Sequence, residues 1–124
     1  MKSYLLDTHI LLWWLSSDEK LPAKTKELIE DPSNHIIVSA VSIWEIVIKK
    51  SLKKLKAPDN IKDILEENHI ETLPITADHA LFLQSLPYIH QDPFDRLLIS
   101  QALVEDLVFV TVDKMILKYS INTF

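Results

Sequence analysis

Four acidic residues stand where an acid is costly: Asp7, Glu45, Asp95 and Asp113. Asp7 ends the apolar stretch SYLL and is separated only by Thr8 and His9 from ILLWWL, and Asp113 ends LVFVTV. Glu45 falls in register with Val41, Ile48, Leu52 and Leu55, at the four-and-three spacing of one helix face. Asp95 shares a face in the same way with Leu98, Ile99 and Ala102. A carboxylate in apolar surroundings must be hydrated, hydrogen-bonded or neutralised by a cation.

Each acid also has a local explanation. Asp7 and Asp113 are suited to cap the helices that follow them. Ser42 with Glu45, and Asp92 with Asp95, have the spacing of a capping box, which would put both acids in ordinary first-turn positions. Those explanations stand open residue by residue. Taken together, the four acids have a single cause if their elements end at one edge of a sheet. At ~5 Å and an effective dielectric of ~20, each carboxylate pair repels by roughly 3 kcal/mol, which a divalent cation would relieve. An all-oxygen cluster completed by water suits Mg²⁺ or Mn²⁺. Such ions activate water and clamp the oxygens of a phosphodiester during in-line displacement.

The elements that must position these acids follow from the pattern along the chain. SYLL, HIIVS at 35–39 and LVFVTV at 107–112 read as buried parallel strands, and IETLPIT as a further short one. Between them lie helical patterns: ILLWWL, PAKTKELIEDP with Pro22 in the first turn, 42–55, 60–68, and a helix from the Thr76 cap to Leu86. Asp92 and Pro93 open a helix through SQALVED; KMILKY is a short helix, and INTF an edge strand. The order implies one α/β domain over residues 1–124, with a central parallel sheet flanked by helices. The acids ending strands then lie at the sheet's carboxyl edge, where such folds bind ligands.

Composition narrows the function classes. With 124 residues and 48% hydrophobic content, the chain can bury a core of its own. Cysteine is absent, so disulfides and thiolate metal sites are excluded, and a reducing cytoplasm suits the chain. Glycine is absent too, which removes glycine-rich phosphate loops and leaves left-handed turn positions to other residues. The N-terminal apolar run is interrupted by Asp7 and His9 and reads as mature structure, and no stretch approaches a membrane span. A net charge of −5 argues against holding nucleic acid by bulk electrostatics.

Secondary features fit around this frame. Lys49, Lys50 and Lys53 in KKSLKKLK form a solvated face, or steer a phosphodiester backbone if they flank the acids. Arg96, the only arginine, is expected to pair with Asp92, with an acid at a subunit edge, or with a phosphate. His9 and His90 suit structural hydrogen bonds to carbonyls. Trp13, Trp14 and Trp44 are core candidates, but adjacent tryptophans on a short helix cannot both face inward, so one should meet a partner.

The motifs DTHILLWWL at 7–15, SAVSIWEIVIK at 39–49, HQDPFDRLLISQA at 90–102 and VTVDK at 110–114 resemble the signature blocks of PIN-domain ribonucleases, specifically the VapC-like toxins of toxin–antitoxin pairs. The resemblance implies a metal-dependent endoribonuclease with Asp7, Glu45, Asp95 and Asp113 as its carboxylates. It puts Asp113 nearer the rim, Thr8 and Thr111 behind the acids, and 5′-phosphate and 3′-hydroxyl ends on the products. It also implies an antitoxin that blocks the cleft; the tryptophan that cannot face inward leads instead to the expectation of a homodimer, an antitoxin groove, or both. Glu105-Asp106-Leu107 stands where many relatives have a glycine turn, and Ser100 where alanine is common. Two other readings remain: an inactive fold kept for protein binding, and an aspartyl-phosphate phosphotransferase, though His9 stands where that chemistry wants a second aspartate.

Overall fold

Strand β1, Ser3–Leu6, runs inside a four-stranded sheet of order β3-β2-β1-β4, in which β2 is His35–Ser39, β3 is Glu71–Leu73 and β4 is Val108–Val110. All the pairings are parallel. The computed structural model describes residues 2–124. Helices α1 (Thr8–Ser16), α2 (Ala23–Glu30), α3 (Ala40–Ser51), α4 (Ile61–Glu67), α5 (Ala77–Phe82) and α6 (Pro93–Val104) surround the sheet, with short 3₁₀ turns at Leu83–Ser85 and Ile116–Lys118. Among the described residues no helix is long and apolar enough to cross a membrane.

The apolar runs are buried on both faces because successive side chains alternate across a strand. Leu5 pairs in register with Ile37 and Phe109, and these three join a cluster with Leu98, Ile99 and Ile116. Leu6, Ile36, Val38 and Val110 point the other way and pack with Ile10, Leu11, Leu28 and Leu65. A slip of one residue would exchange the two faces, so the register is fixed by what each layer buries. Helix α3 contributes Val41 to one layer and Ile46 to the other, which puts it at the seam directly beyond the end of β2.

Several boundaries differ from the pattern in the sequence. The last strand is Val108–Val110 rather than 107–112. INTF makes a single parallel bridge, Phe109 to Thr123, not a full edge strand. Helix α3 starts two residues before the expected Ser42, because Ser39 is its cap, accepting from the Val41 N–H at 2.9 Å. It stops at Ser51, short of Leu55, and Lys53 turns the chain with φ 59°. Pro22 stands at the cap of α2 rather than inside its first turn.

Without glycine, left-handed positions fall to Ser17, Lys53, His69 and Asp106, at φ of 52°, 59°, 57° and 54°. All four follow helices. Asp106 makes the turn before β4, and the Leu107 N–H still reaches the Ala102 carbonyl at 2.8 Å. An L-residue in this region costs about 1–2 kcal/mol, partly offset because glycine loses more entropy on folding. His69→Gly is therefore expected to stabilise the protein by about 0.5–1 kcal/mol, read as a higher urea midpoint with an unchanged slope.

Candidate metal centre

Asp7 emerges from β1 with its backbone N–H bonded to the Val110 carbonyl at 2.9 Å, so the β1–β4 ladder fixes where its side chain starts. It is the residue before α1, yet its carboxylate makes no cap hydrogen bond. Instead Oδ2 accepts from the Thr111 hydroxyl at 2.7 Å, at the end of β4. Oδ1 is buried without a partner, and the residue is 2% exposed. Burial is the main cause that pushes the Asp7 pKa up, aided by the charge of Asp113 and opposed by Thr111 and His9.

Glu45 is not a capping residue either. Because α3 begins at Ala40, Glu45 falls in its second turn, and the Ser42 hydroxyl is occupied by accepting from Thr8 Oγ1 at 2.9 Å. The glutamate is 3% exposed; Oε2 takes the Lys49 ammonium and Oε1 is left without a partner. The Lys49 pKa is raised, chiefly by this hydrogen bond and further by Asp92 and Asp95.

Half of the box expected at Asp92 and Asp95 forms. Asp92 accepts from the N–H groups of Phe94 and Asp95 at 2.8 and 3.1 Å. The return bond from the Asp92 N–H goes to His90 Nδ1 instead, which frees the Asp95 carboxylate to meet His90 Nε2 at 3.0 Å. Asp113 does cap its own turn, Oδ1 accepting from the Met115 N–H at 2.9 Å, while Oδ2 lies 3.2 Å from His90 Nε2.

The acids converge. Burial first, then the charges of Asp7, Asp92 and Glu45 against the opposing effect of His90, together raise the Asp95 pKa to about 7. Strand ends deliver Asp7 and Asp113, α3 delivers Glu45, and the first turn of α6 delivers Asp95. Unpartnered oxygens on Asp7 and Glu45 within such a cluster fit a hard divalent cation, since carboxylate oxygens are its preferred donors.

Other expected site residues are placed differently. Thr111 supports Asp7, but Thr8 is bonded to Ser42 and touches no carboxylate through its hydroxyl. Of the lysines, only Lys49 meets the cluster; Lys50 pairs with Asp59, and Lys53 is exposed in the turn past α3. Arg96 is not free for a phosphate. It is 7% exposed, donates to the Pro87 carbonyl at 2.9 Å, and stacks over Tyr88 at 4.1 Å, because the turn of α6 that aims Asp95 at the cluster directs its neighbour into the adjacent loop. Ser100 donates to the His79 carbonyl, away from the acids.

His90 was expected to bond a carbonyl; it instead lies between two carboxylates. The HxD spacing ahead of Pro93 was its only trace in the sequence. Trp13 and Trp14 are both partly buried, and the exposed tryptophan is Trp44, at 51%, packed edge-on against Phe94 at 4.9 Å.

Comparison with known proteins agrees with this geometry. The PIN domain family profile matches residues 4–122. The chain is 26% identical over 117 residues to Ribonuclease VapC22 of Mycobacterium tuberculosis, covering 92% of this chain and 89% of that protein. Its fold is similar to VapBC2 from Rickettsia felis bound to a promoter DNA fragment, with a TM-score of 0.73, 18% identity, and coverage of 98% and 97% of the two chains. It is also similar to a toxin–antitoxin complex from Klebsiella pneumoniae, with a TM-score of 0.68, 17% identity, and coverage of 98% and 95%.

A raised carboxylate pKa means that the folded state holds the Asp95 proton more tightly than the unfolded chain. The contribution of Asp95 to the stability of the metal-free protein is therefore fully present below the ordinary carboxylate range and is lost as pH rises toward 7. Discounting for solvent around a partly exposed group, the loss is on the order of 1–2 kcal/mol. In EDTA, Asp95→Asn is expected to melt higher than wild type at pH 8 and no higher at pH 4, and a lower melting temperature at pH 8 would contradict the repulsion.

Proposed function

The chain belongs to the PIN domain family, and on that premise we propose that it is a divalent-cation-dependent endoribonuclease and the toxin of a toxin–antitoxin pair, with residues 1–124 forming one nuclease domain. The observation that carries this reading is the pair of buried carboxylate oxygens without partners, Asp7 Oδ1 and Glu45 Oε1, beside an Asp95 whose charge both acids disfavour. An aspartyl-phosphate mechanism would use Asp7 and leave Glu45 and Asp95 as a burden.

In this reading Asp7, Glu45 and Asp95 hold Mg²⁺ or Mn²⁺, and Asp113 serves at the rim. Such an ion supplies an activated water and neutralises charge developing on the phosphodiester oxygens. Thr111 keeps Asp7 Oδ2 occupied, so the side chain offers Oδ1 inward. Lys49, the basic residue at the cluster, is placed to exchange Glu45 for an RNA phosphate as the backbone enters.

Partners find surfaces as well. A groove of about 710 Å³ opens where α1, α2 and α4 meet, lined by Trp14, Leu15, Leu21, Pro22 and Ile64. We place an amphipathic antitoxin helix there, since such grooves accept helices by their apolar face. Trp44 and Val47, 51% and 58% exposed on α3, are where we place a second copy of the chain.

Purified protein is expected to cleave single-stranded RNA with Mg²⁺ or Mn²⁺ and not with EDTA, leaving 5′-phosphates. Asp7→Asn and Asp95→Asn should each lower the rate by on the order of 100-fold or more. Full cleavage by Asp7→Asn, or in EDTA, would overturn the proposal in favour of a binding module or a contaminant. Trp14→Glu should leave cleavage intact while abolishing its inhibition by the cognate antitoxin.

A further inference from the structure

His90 Nε2 lies 3.0 Å from Asp95 Oδ2 and 3.2 Å from Asp113 Oδ2, so all three side chains offer an atom to one small volume. That grouping invites a nitrogen ligand for the cation. The other ring nitrogen argues against it. The Asp92 N–H donates to Nδ1 at 3.1 Å, and a nitrogen that accepts a hydrogen bond carries no proton. The proton of the neutral ring is therefore on Nε2, aimed at both carboxylates.

The ring has little freedom to do otherwise. Its own backbone N–H donates to the Tyr119 hydroxyl at 2.7 Å, and two residues on, Asp92 caps α6. For Nε2 to coordinate a cation, its proton would have to move to Nδ1, where it would face the Asp92 N–H. As a donor, the ring meets no such conflict. Each carboxylate oxygen has two lone pairs, so one can accept from Nε2–H while another faces the cluster. Asp113 has most need of the contact, because its side chain is 33% exposed and its other oxygen is committed to the Met115 N–H.

We infer that His90 is a positioning residue, a hydrogen-bond donor that clamps Asp113 to Asp95 so that both acids face one cation, and that it is not a ligand. The inference rests on the reading of the acid cluster as a cation site. Residues that orient ligands from behind typically change metal affinity by about 10–100-fold when removed.

Mn²⁺ titrations followed by the free-ion EPR signal test the clamp in wild type, His90→Ala, His90→Gln, Asp113→Asn and the His90→Ala/Asp113→Asn pair. His90→Ala is expected to weaken binding about tenfold. His90→Gln, whose amide can still donate, should recover most of the loss, and Asp113→Asn should add little to His90→Ala. Nitrogen NMR should show the Nε2 proton of His90 retained with and without Mg²⁺. Unchanged affinity in His90→Ala, nitrogen coupling from His90 to bound Mn²⁺, or loss of that proton on adding Mg²⁺ would each overturn the clamp and leave the cation site standing. A wild-type protein that binds no Mn²⁺ would remove both.

Discussion

Mutual repulsion among carboxylates at the carboxyl edge of the sheet is the constraint on which the site depends. Apolar strands give the chain its core, and they also carry Asp7 and Asp113 to one rim, where burial makes the Asp7 charge harder to keep. Helices α3 and α6 then add Glu45 and Asp95 to the same place. The core could be built with apolar residues at all four positions. Asp7 and Asp95 keep their charge at a cost, and perturbed carboxylates of this kind cluster at functional sites.

The polar support around the acids shows the same division of labour. Thr111 occupies one oxygen of Asp7, Ser42 and Thr8 satisfy each other, and Asp92 caps α6 so that Asp95 need not. A second buried polar group, on the far side of α6, makes a useful contrast. His79 is fully buried, with Nδ1 accepting from the Thr76 N–H and Nε2 2.8 Å from Glu105; Gln101 links it to Ser39 at the cap of α3. That network is partnered throughout and ties α5, α6 and β2 together. Burial of polar atoms is thus not the mark of the site. The mark is burial without a partner, at Asp7 Oδ1 and Glu45 Oε1.

Chain turns tell a parallel story about cost. A protein without glycine gives its left-handed positions to other residues, and among the described residues these stand just past helix ends, where hydrogen bonds such as Leu107 to Ala102 compensate. None of those positions lies among the acids. Strain is kept in the connections, while the residues of the cluster rest on regular strand ends and helical turns.

The sequence by itself determined the order of the elements and the parallel sheet, because apolar runs and helical periodicity are local patterns that a chain displays without folding. Asp92 and Pro93 announce α6 for the same reason, and the end of α3 is not legible in the sequence because no glycine or early proline marks it. Only the tertiary structure decided which acids were caps and which were not. The competing partners, Thr8 for Ser42 and His90 for the Asp92 N–H and both carboxylates, come from other elements or from the irregular loop before α6. Arg96 and Trp44 exchanged their expected places on the same account: burial is a property of what packs against a residue, and that is fixed when the layers close, not by the residue's own type.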